Sequence, residues 1–236
     1  MHLNTIADNL WTVSQPLRFF GLEVGTRMTV IRLNNNELVL ISPISLDICH
    51  RPLLDALGAV KYIVAPNMFH HLFVAQVQAL YPDATVWGVD GLAEKRPDLK
   101  LDALVNQSGS FANELKYLPF RGFATIFPQG IVLANETVFL HQPSRTLILT
   151  DTAYNFDQNS SLVIQLATRA LGGYNKLQPS RLEKLGTRDK AQVAESVAQV
   201  LAWDFDRVVP AHGSIVETGG KAAFKKGYEW FLGYSL

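Results

Sequence analysis

Short β-branched runs bounded by turn residues alternate along this chain with stretches of helical periodicity. Residues 10–13 and 28–33 read as strands, the second aliphatic and β-branched at Val30 and Ile31. Asn34, Asn35 and Asn36 form a turn signal before residues 37–41, which predicts a hairpin. Ser42-Pro43 ends that hairpin's second strand, and Ser45 can cap a short helix within residues 46–57 that Gly58 closes. Tyr62-Ile63-Val64 is a further strand, ending at Ala65-Pro66. Behind it Met68, Phe69, Leu72, Phe73, Val77 and Leu80 share one broad helical face. Asn67 is suited to cap that helix, and Pro82 stops it near Tyr81. Residues 84–89 are β-rich again, and residues 91–101 form a loop with at most one helical turn.

From about Phe111 the same alternation returns. Residues 115–120 alternate apolar and polar as a half-buried strand does, and residues 131–133, 137–140 and 146–150 are further strands. Residues 160–171 read as a helix closed by Gly172-Gly173. Residues 187–203 are the clearest helix, with Thr187 as cap and Ala191, Ala194, Val197, Val200 and Leu201 as buried stripe. Residues 207–209 are a strand that runs into Pro210-Ala211-His212-Gly213, and residues 221–232 close the chain as a helix. The order predicts one domain over residues 1–236, made of two β/α halves of about 1–110 and 111–236, sheets face to face and helices outside.

Composition narrows the function classes. Apolar residues make up 48% and charged residues 18% of 236, enough to bury a sizeable core. Lys+Arg and Asp+Glu number 21 each, so no net field draws the chain to nucleic acid or to a membrane. The lone Cys49 excludes an internal disulfide and a cysteine-rich zinc site, and its helical setting predicts a small buried thiol. The start, MHLNTIADNLW, lacks the pattern of a signal peptide, and no apolar run approaches the roughly 20 residues of a membrane span. The expectation is a cytoplasmic protein with a small-molecule ligand, and a homo-oligomer stays open. Trp11, Phe19, Phe20 and Phe123 are expected mainly in the core, with a pocket or a dimer face as the alternative.

The candidate chemistry sits at strand ends. His70 and His71 follow one strand, Asp151 ends another, and His212 ends a third. In α/β folds, ligands are met beyond the carboxyl ends of strands. Each residue also has a plain reading: a solvated helix start for His70 and His71, a loop hydrogen bond for Asp151, and a satisfied turn for His212. His141 reads as structural, and His2 and His50 as surface.

The His-bearing start after residues 62–64, the run Thr146-Leu147-Ile148-Leu149-Thr150-Asp151 and the late Val208-Val209-Pro210-Ala211-His212-Gly213 together resemble the metallo-β-lactamase-like superfamily. They stand in that family's chain order, and the resemblance spans roughly residues 10–230. It implies an αββα four-layer sandwich. The first metal loop of the family, His-x-His-x-Asp-His, is not kept: Asn67 and Phe69 fall at its first two histidines, and His71 and Leu72, or His70 and His71, at its Asp-His pair. The family's middle histidine is missing from residues 131–136, where Glu136 is the ionisable group. Ser42-Pro43 replaces the aspartate that often ends the early strand. The chain therefore resembles a divergent branch, similar to bacterial domains of unknown function that keep the fold and lose the standard two-zinc set.

What the resemblance implies is a reduced mononuclear site for zinc or another divalent metal, drawn from His70 or His71, Asp151 and His212. Asp151 would also be catalytic, Glu136 a proton carrier, and Asn67 a substrate contact or an aid in orienting a ligand. The expected activity is metal-dependent hydrolysis of an ester, amide or phosphoester. The rival is a metal-free binding or interaction protein on the same scaffold. Redox chemistry at iron, found in another branch of the superfamily, uses a richer ligand set than this chain offers.

Overall fold

The computed structural model describes residues 2–236. Its layout follows from strands that are apolar on both faces. On β14 (Glu136–His141), β15 (Thr146–Leu149) and β16 (Arg207–Pro210), every residue but Arg207 is buried. Phe139, Ile148 and Val209 point to a core shared with the first half of the chain. Their neighbours Val138, Leu140, Leu147, Leu149 and Val208 point the other way, to a second core with Val193, Val197, Phe224 and Tyr228. A strand covered on both sides must lie in an inner layer, with a sheet on one face and helices on the other. This is the αββα sandwich.

The first sheet has the order β1-β2-β5-β6-β7-β8-β9. Its members are β1 (Asn4–Ala7), β2 (Leu10–Gln15), β5 (Thr26–Arg32), β6 (Glu37–Ile41), β7 (Ala59–Val64), β8 (Thr85–Gly88) and β9 (Ala103–Leu104). A small hairpin of β3 (Arg18–Phe19) and β4 (Leu22–Glu23) projects between β2 and β5. Helix α1 (Arg51–Asp55) makes the crossover from β6 to the parallel β7, and α2 (Val74–Leu80) that from β7 to the parallel β8. Helix α3 (Leu92–Lys95) is the single turn expected before β9.

The second sheet has the order β10-β11-β14-β15-β16, with β10 (Gly109–Phe111) and β11 (Leu115–Phe120) at one side. It is antiparallel except for the pair β15–β16. A separate hairpin, β12 (Ala124–Phe127) with β13 (Gly130–Leu133), stands off the sheet. The long β15–β16 connection carries α4 (Leu162–Ala170), α5 (Arg181–Gly186) and α6 (Lys190–Leu201), and α7 (Gly220–Leu232) ends the chain. Backbone hydrogen bonds join the halves: Met68 N–H donates to the Ala134 carbonyl and Thr137 N–H to the Pro66 carbonyl.

Several local expectations are corrected. The helix behind Asn67 begins only at Val74, and residues 67–73 form turns. Asn67 does cap, through Oδ1 accepting from the N–H groups of Phe69 and His70, but it caps a turn. Asp189, not Thr187, caps α6; Thr187 instead ends α5, which periodicity did not reveal. Cys49 is exposed, because its short turn presents no buried face. Phe123 is buried as expected and Trp11 is partly so, whereas Phe19 and Phe20 are 47% and 66% exposed on the projecting hairpin.

His141 is buried at the end of β14, with Nδ1 hydrogen-bonded to the Ser144 hydroxyl. Burial lowers its pKa from the usual 6.5, against a smaller opposing pull from Glu114. A depressed histidine takes up its proton more readily in the unfolded chain, so its stability contribution is complete above about pH 6.5 and declines as the pH falls toward the folded value. Urea unfolding at pH 7 and pH 5 should show a drop in midpoint that is smaller in His141→Gln; an equal drop in both proteins would contradict this account.

Candidate functional site

Two parallel strand pairs, β6–β7 in one sheet and β15–β16 in the other, release their carboxyl ends toward the same place. Ser42 follows β6, His70 the turn after β7, Asp151 the end of β15, and His212 the end of β16. His70 Nε2 lies 3.1 Å from His212 Nε2. Asp151 presents Oδ2 to His70 Nε2 and Oδ1 to His212 Nε2, each at 3.4 Å. The three side chains are 12% exposed or less, and their ligand atoms lie within 4.8 Å of one another.

Each of the three is held from behind. His212 Nδ1 donates to the Gly25 carbonyl at 2.7 Å; a carbonyl can only accept, so in the neutral ring the lone pair sits on Nε2 and faces the site. The His212 loop is tied to β5 by Arg27, whose guanidinium donates to the carbonyls of Pro210 and of Gly213, the latter at 2.8 Å. Burial brings that guanidinium's pKa down to about 10, still charged at neutral pH. Gly213 has a left-handed φ of 82°, and a Cβ there would collide with the Asn155 carbonyl. His70 Nδ1 lies 2.6 Å from the Ser42 hydroxyl, which can either donate or accept. When Ser42 donates, His70 Nε2–H can bridge to His212. When Ser42 accepts, the His70 lone pair faces the site beside that of His212.

Asp151 is positioned by Asn67 and Glu136. Asn67 is fully buried, and its amide donates to Asp151 Oδ2 at 2.6 Å, to Thr150 Oγ1 at 2.9 Å and to Glu136 Oε2 at 3.3 Å. It is therefore removed from any substrate, and its role is to orient Asp151. Glu136 is also sealed from solvent and accepts from the N–H groups of Thr150, Asp151 and Thr152 and from the Thr152 hydroxyl. With the Asn67 amide, every hydrogen bond it makes is one it accepts. Burial and then the charge of Asp151 push its pKa up, and these donors oppose them. Glu136 fixes the Asp151 backbone and lies too deep to carry protons to a substrate.

His71 does not join the cluster. It is buried against Arg96, whose Nη1 donates to His71 Nδ1 at 2.9 Å. Burial, aided by Lys95 and Arg96, lowers its pKa to about 4, so it is neutral near pH 7. For Asp151, burial works to raise the pKa, but the two histidines outweigh it and hold the carboxyl well below the usual range. For His70, burial works downward and the Asp151 charge prevails, raising the pKa.

The residues fit a divalent cation. Ligands about 2.0–2.2 Å from one tetrahedral ion lie about 3.3–3.6 Å apart, close to the spacings of this triangle. The donor set of two imidazoles and one carboxylate is a common catalytic combination, and both rings have the partner behind them that orients metal-ligating histidines. Among the described residues one other group could approach an ion, the exposed Asp47, Cys49 and His50, but Asp47 there caps its own turn.

Beside the triangle opens a cavity of about 650 Å³. Its floor includes His70, Asp151 and His212, and its walls are largely apolar. Tyr154 stands beside His212, ring centroids 5.9 Å apart, and burial holds its hydroxyl well above the usual pKa, hence protonated.

The profile of the family described as "Domain of unknown function (DUF4336)" matches residues 7–183. The chain belongs to the DUF4336 family. That match contains His70 and Asp151 and stops before His212, so the DUF4336 profile spans only part of the triangle. No curated protein matches the sequence. Solved structures do match. A metallo-β-lactamase from Hirschia baltica is 9% identical, with a TM-score of 0.64 over 98% of this chain and 97% of its own. The metallo-β-lactamase FIM-1 from Pseudomonas aeruginosa, in a mono-zinc form, is 9% identical at a TM-score of 0.64 over 98% and 96%. A metal-soaked Flv1 flavodiiron core from Synechocystis sp. PCC6803 is 14% identical at 0.64 over 98% of this chain and 60% of its own. These likenesses establish the metallo-β-lactamase fold for this DUF4336 protein.

Sequence reading noted Ser42 only as standing where an aspartate often ends the strand, and missed Arg27 and Gly25 altogether. Ser42 had a usable signal, since it ends a strand as Asp151 does, but its partner is 28 residues away. Arg27 and the Gly25 carbonyl act across more than 180 residues of chain, and nothing local marks them. If Glu136 organises the site as described, Glu136→Gln turns an amide donor toward buried N–H groups and should cost about 2–4 kcal/mol in chemical denaturation. A loss below about 1 kcal/mol would contradict that role.

Proposed function

We propose that this protein is a metal-dependent hydrolase with a reduced, mononuclear site of His70, Asp151 and His212. The observation that carries the reading is the triangle itself: two Nε2 atoms 3.1 Å apart, each 3.4 Å from an oxygen of one carboxylate. Zinc or another divalent metal bound there would acidify a coordinated water to a pKa of roughly 7 and polarise the oxygen of an ester, amide or phosphoester. The protein supplies the rest. The Gly25 carbonyl holds His212 with Nε2 toward the site, Ser42 would do the same for His70 when it accepts from Nδ1–H, and Asn67 holds the carboxylate against rotation. Glu136, by fixing the Thr150–Thr152 backbone, keeps Asp151 at its strand end. The largely apolar walls would give a bound substrate few competing polar partners.

A second reading has its own support. With Ser42 donating, a single proton between the two Nε2 atoms satisfies the cluster without any metal, and the cavity would then serve a binding protein on the same fold.

Elemental analysis of protein purified without an affinity tag separates the two. The hydrolase predicts near-stoichiometric zinc, iron or manganese, reduced at least tenfold in both His212→Ala and Asp151→Asn, with loss of any esterase or phosphodiesterase activity found in the parent. His71→Gln should keep its metal. A parent that takes up no metal even on reconstitution would overturn the hydrolase and leave the binding protein.

A further inference from the structure

The cavity's chemistry is lopsided. Phe19 and Phe20 from the β3–β4 hairpin, Phe69 from the turn after β7 and Phe127 from the β12–β13 hairpin meet around one point. Phe127 is the hub, 5.8 Å from Phe19, 6.0 Å from Phe20 and 5.3 Å from Phe69 between ring centroids. Three segments distant in sequence thus build one aromatic wall. Helix α4 adds Ile164.

The charged groups of the lining are confined elsewhere. Glu183 is bonded to the Ser180 N–H and the Thr125 hydroxyl, and His71 to Arg96, so neither is free to meet a ligand. Lys95 lies 5.2 Å over the Phe69 ring and donates to the Met68 carbonyl. That leaves His70, Asp151 and His212 as a polar floor under an apolar chamber. A volume near 650 Å³ is that of a site for one small molecule. Leaving Phe19 and Phe20 in water costs free energy that an apolar ligand would remove.

We propose that the cavity takes an ester whose acyl group is large and apolar, a long alkyl chain or an aryl ring, packed on the phenylalanine wall with its carbonyl at the His70–Asp151–His212 floor. As a statement of substrate, this rests on the hydrolase reading; as a statement of ligand class, it rests on the wall alone. In the reaction, the oxygen of water bonds to the acyl carbon, the bond to the alcohol oxygen breaks, the alcohol leaves with a proton from water, and the apolar acid is released. The expected product is therefore a carboxylic acid that fills the chamber.

Calorimetric titration with that product class tests the idea. The probes are dodecanoate, 2-naphthoate and, as a short control with the same carboxylate, butyrate. Each is titrated into zinc-treated and chelator-treated protein. At least one large acid should bind about tenfold or more tightly than butyrate in both preparations, with a negative heat-capacity change. Which of the two does so separates a chain from a ring. Phe127→Ser and Phe20→Ser should each cut the preference several-fold; Phe20 is so exposed that its replacement does not threaten the fold.

Equal binding of all three acids, or a preference unchanged in both variants, overturns the apolar class even if zinc binds and short esters are hydrolysed. Metal that never binds, together with an intact preference for a large acid, overturns the hydrolase and leaves the apolar ligand class standing.

Discussion

A carboxylate sealed from water is the constraint on which this molecule turns. Glu136 begins β14, between the two backbone hydrogen bonds that join the halves, and accepts from the residues just past the end of β15. A buried, ionised carboxylate is tolerated only when donors replace its lost hydration. Here the donors are three consecutive backbone N–H groups, the Thr152 hydroxyl and the Asn67 amide. To supply them, the chain must leave β15 in one particular path, and Asn67 must enter from the other sheet. The charge thereby fixes both the junction of the halves and the direction of Asp151. An apolar residue would fill the space but leave those N–H groups unpaired.

From that anchor the site follows by topology. A parallel pair in each sheet places two carboxyl ends side by side, and face-to-face packing brings the two pairs together. Four strand ends then offer Ser42, His70, Asp151 and His212 within one small volume. The partner behind each imidazole is as informative as the imidazole. A histidine whose Nδ1–H is engaged by a carbonyl has only Nε2 left to face the site, and His212 has that geometry. His71, one residue from His70, is turned to Arg96 and has no such geometry.

Much of this was legible in the sequence, for physical reasons that can be named. Strands such as residues 62–64 and 146–150 are bounded by Pro or Asp and carry few polar residues, the second because it is buried on both faces and the first because its last two residues are. Strand ends are therefore visible, and with them Asp151 and His212. The turn after β7 was not, because residues 67–73 have helical spacing in composition while tertiary contacts hold them as turns: Met68 N–H is bound to the Ala134 carbonyl in the other half. With the turn misread as helix, His70 and His71 looked equivalent. Glu136 and Asn67 were singled out by position, but the burial that makes one an anchor and the other an orienting group is a property of the assembled halves. The small hairpin bearing Phe19 and Phe20 has strands of two residues each, too short for any periodicity.

The turn after β7 serves both the polar cluster and the aromatic wall. From it Asn67 is turned inward to Asp151 and Phe69 outward to Phe127. Asn67 orients the carboxylate, and Phe69 adds to the apolar side of the chamber. A drier surround strengthens the interaction of the remaining polar groups with any charge held among them, since the local dielectric falls. Three polar side chains in such a setting therefore count for more than their number suggests. The three side chains are few but well buried, so a charge held among them would be felt strongly.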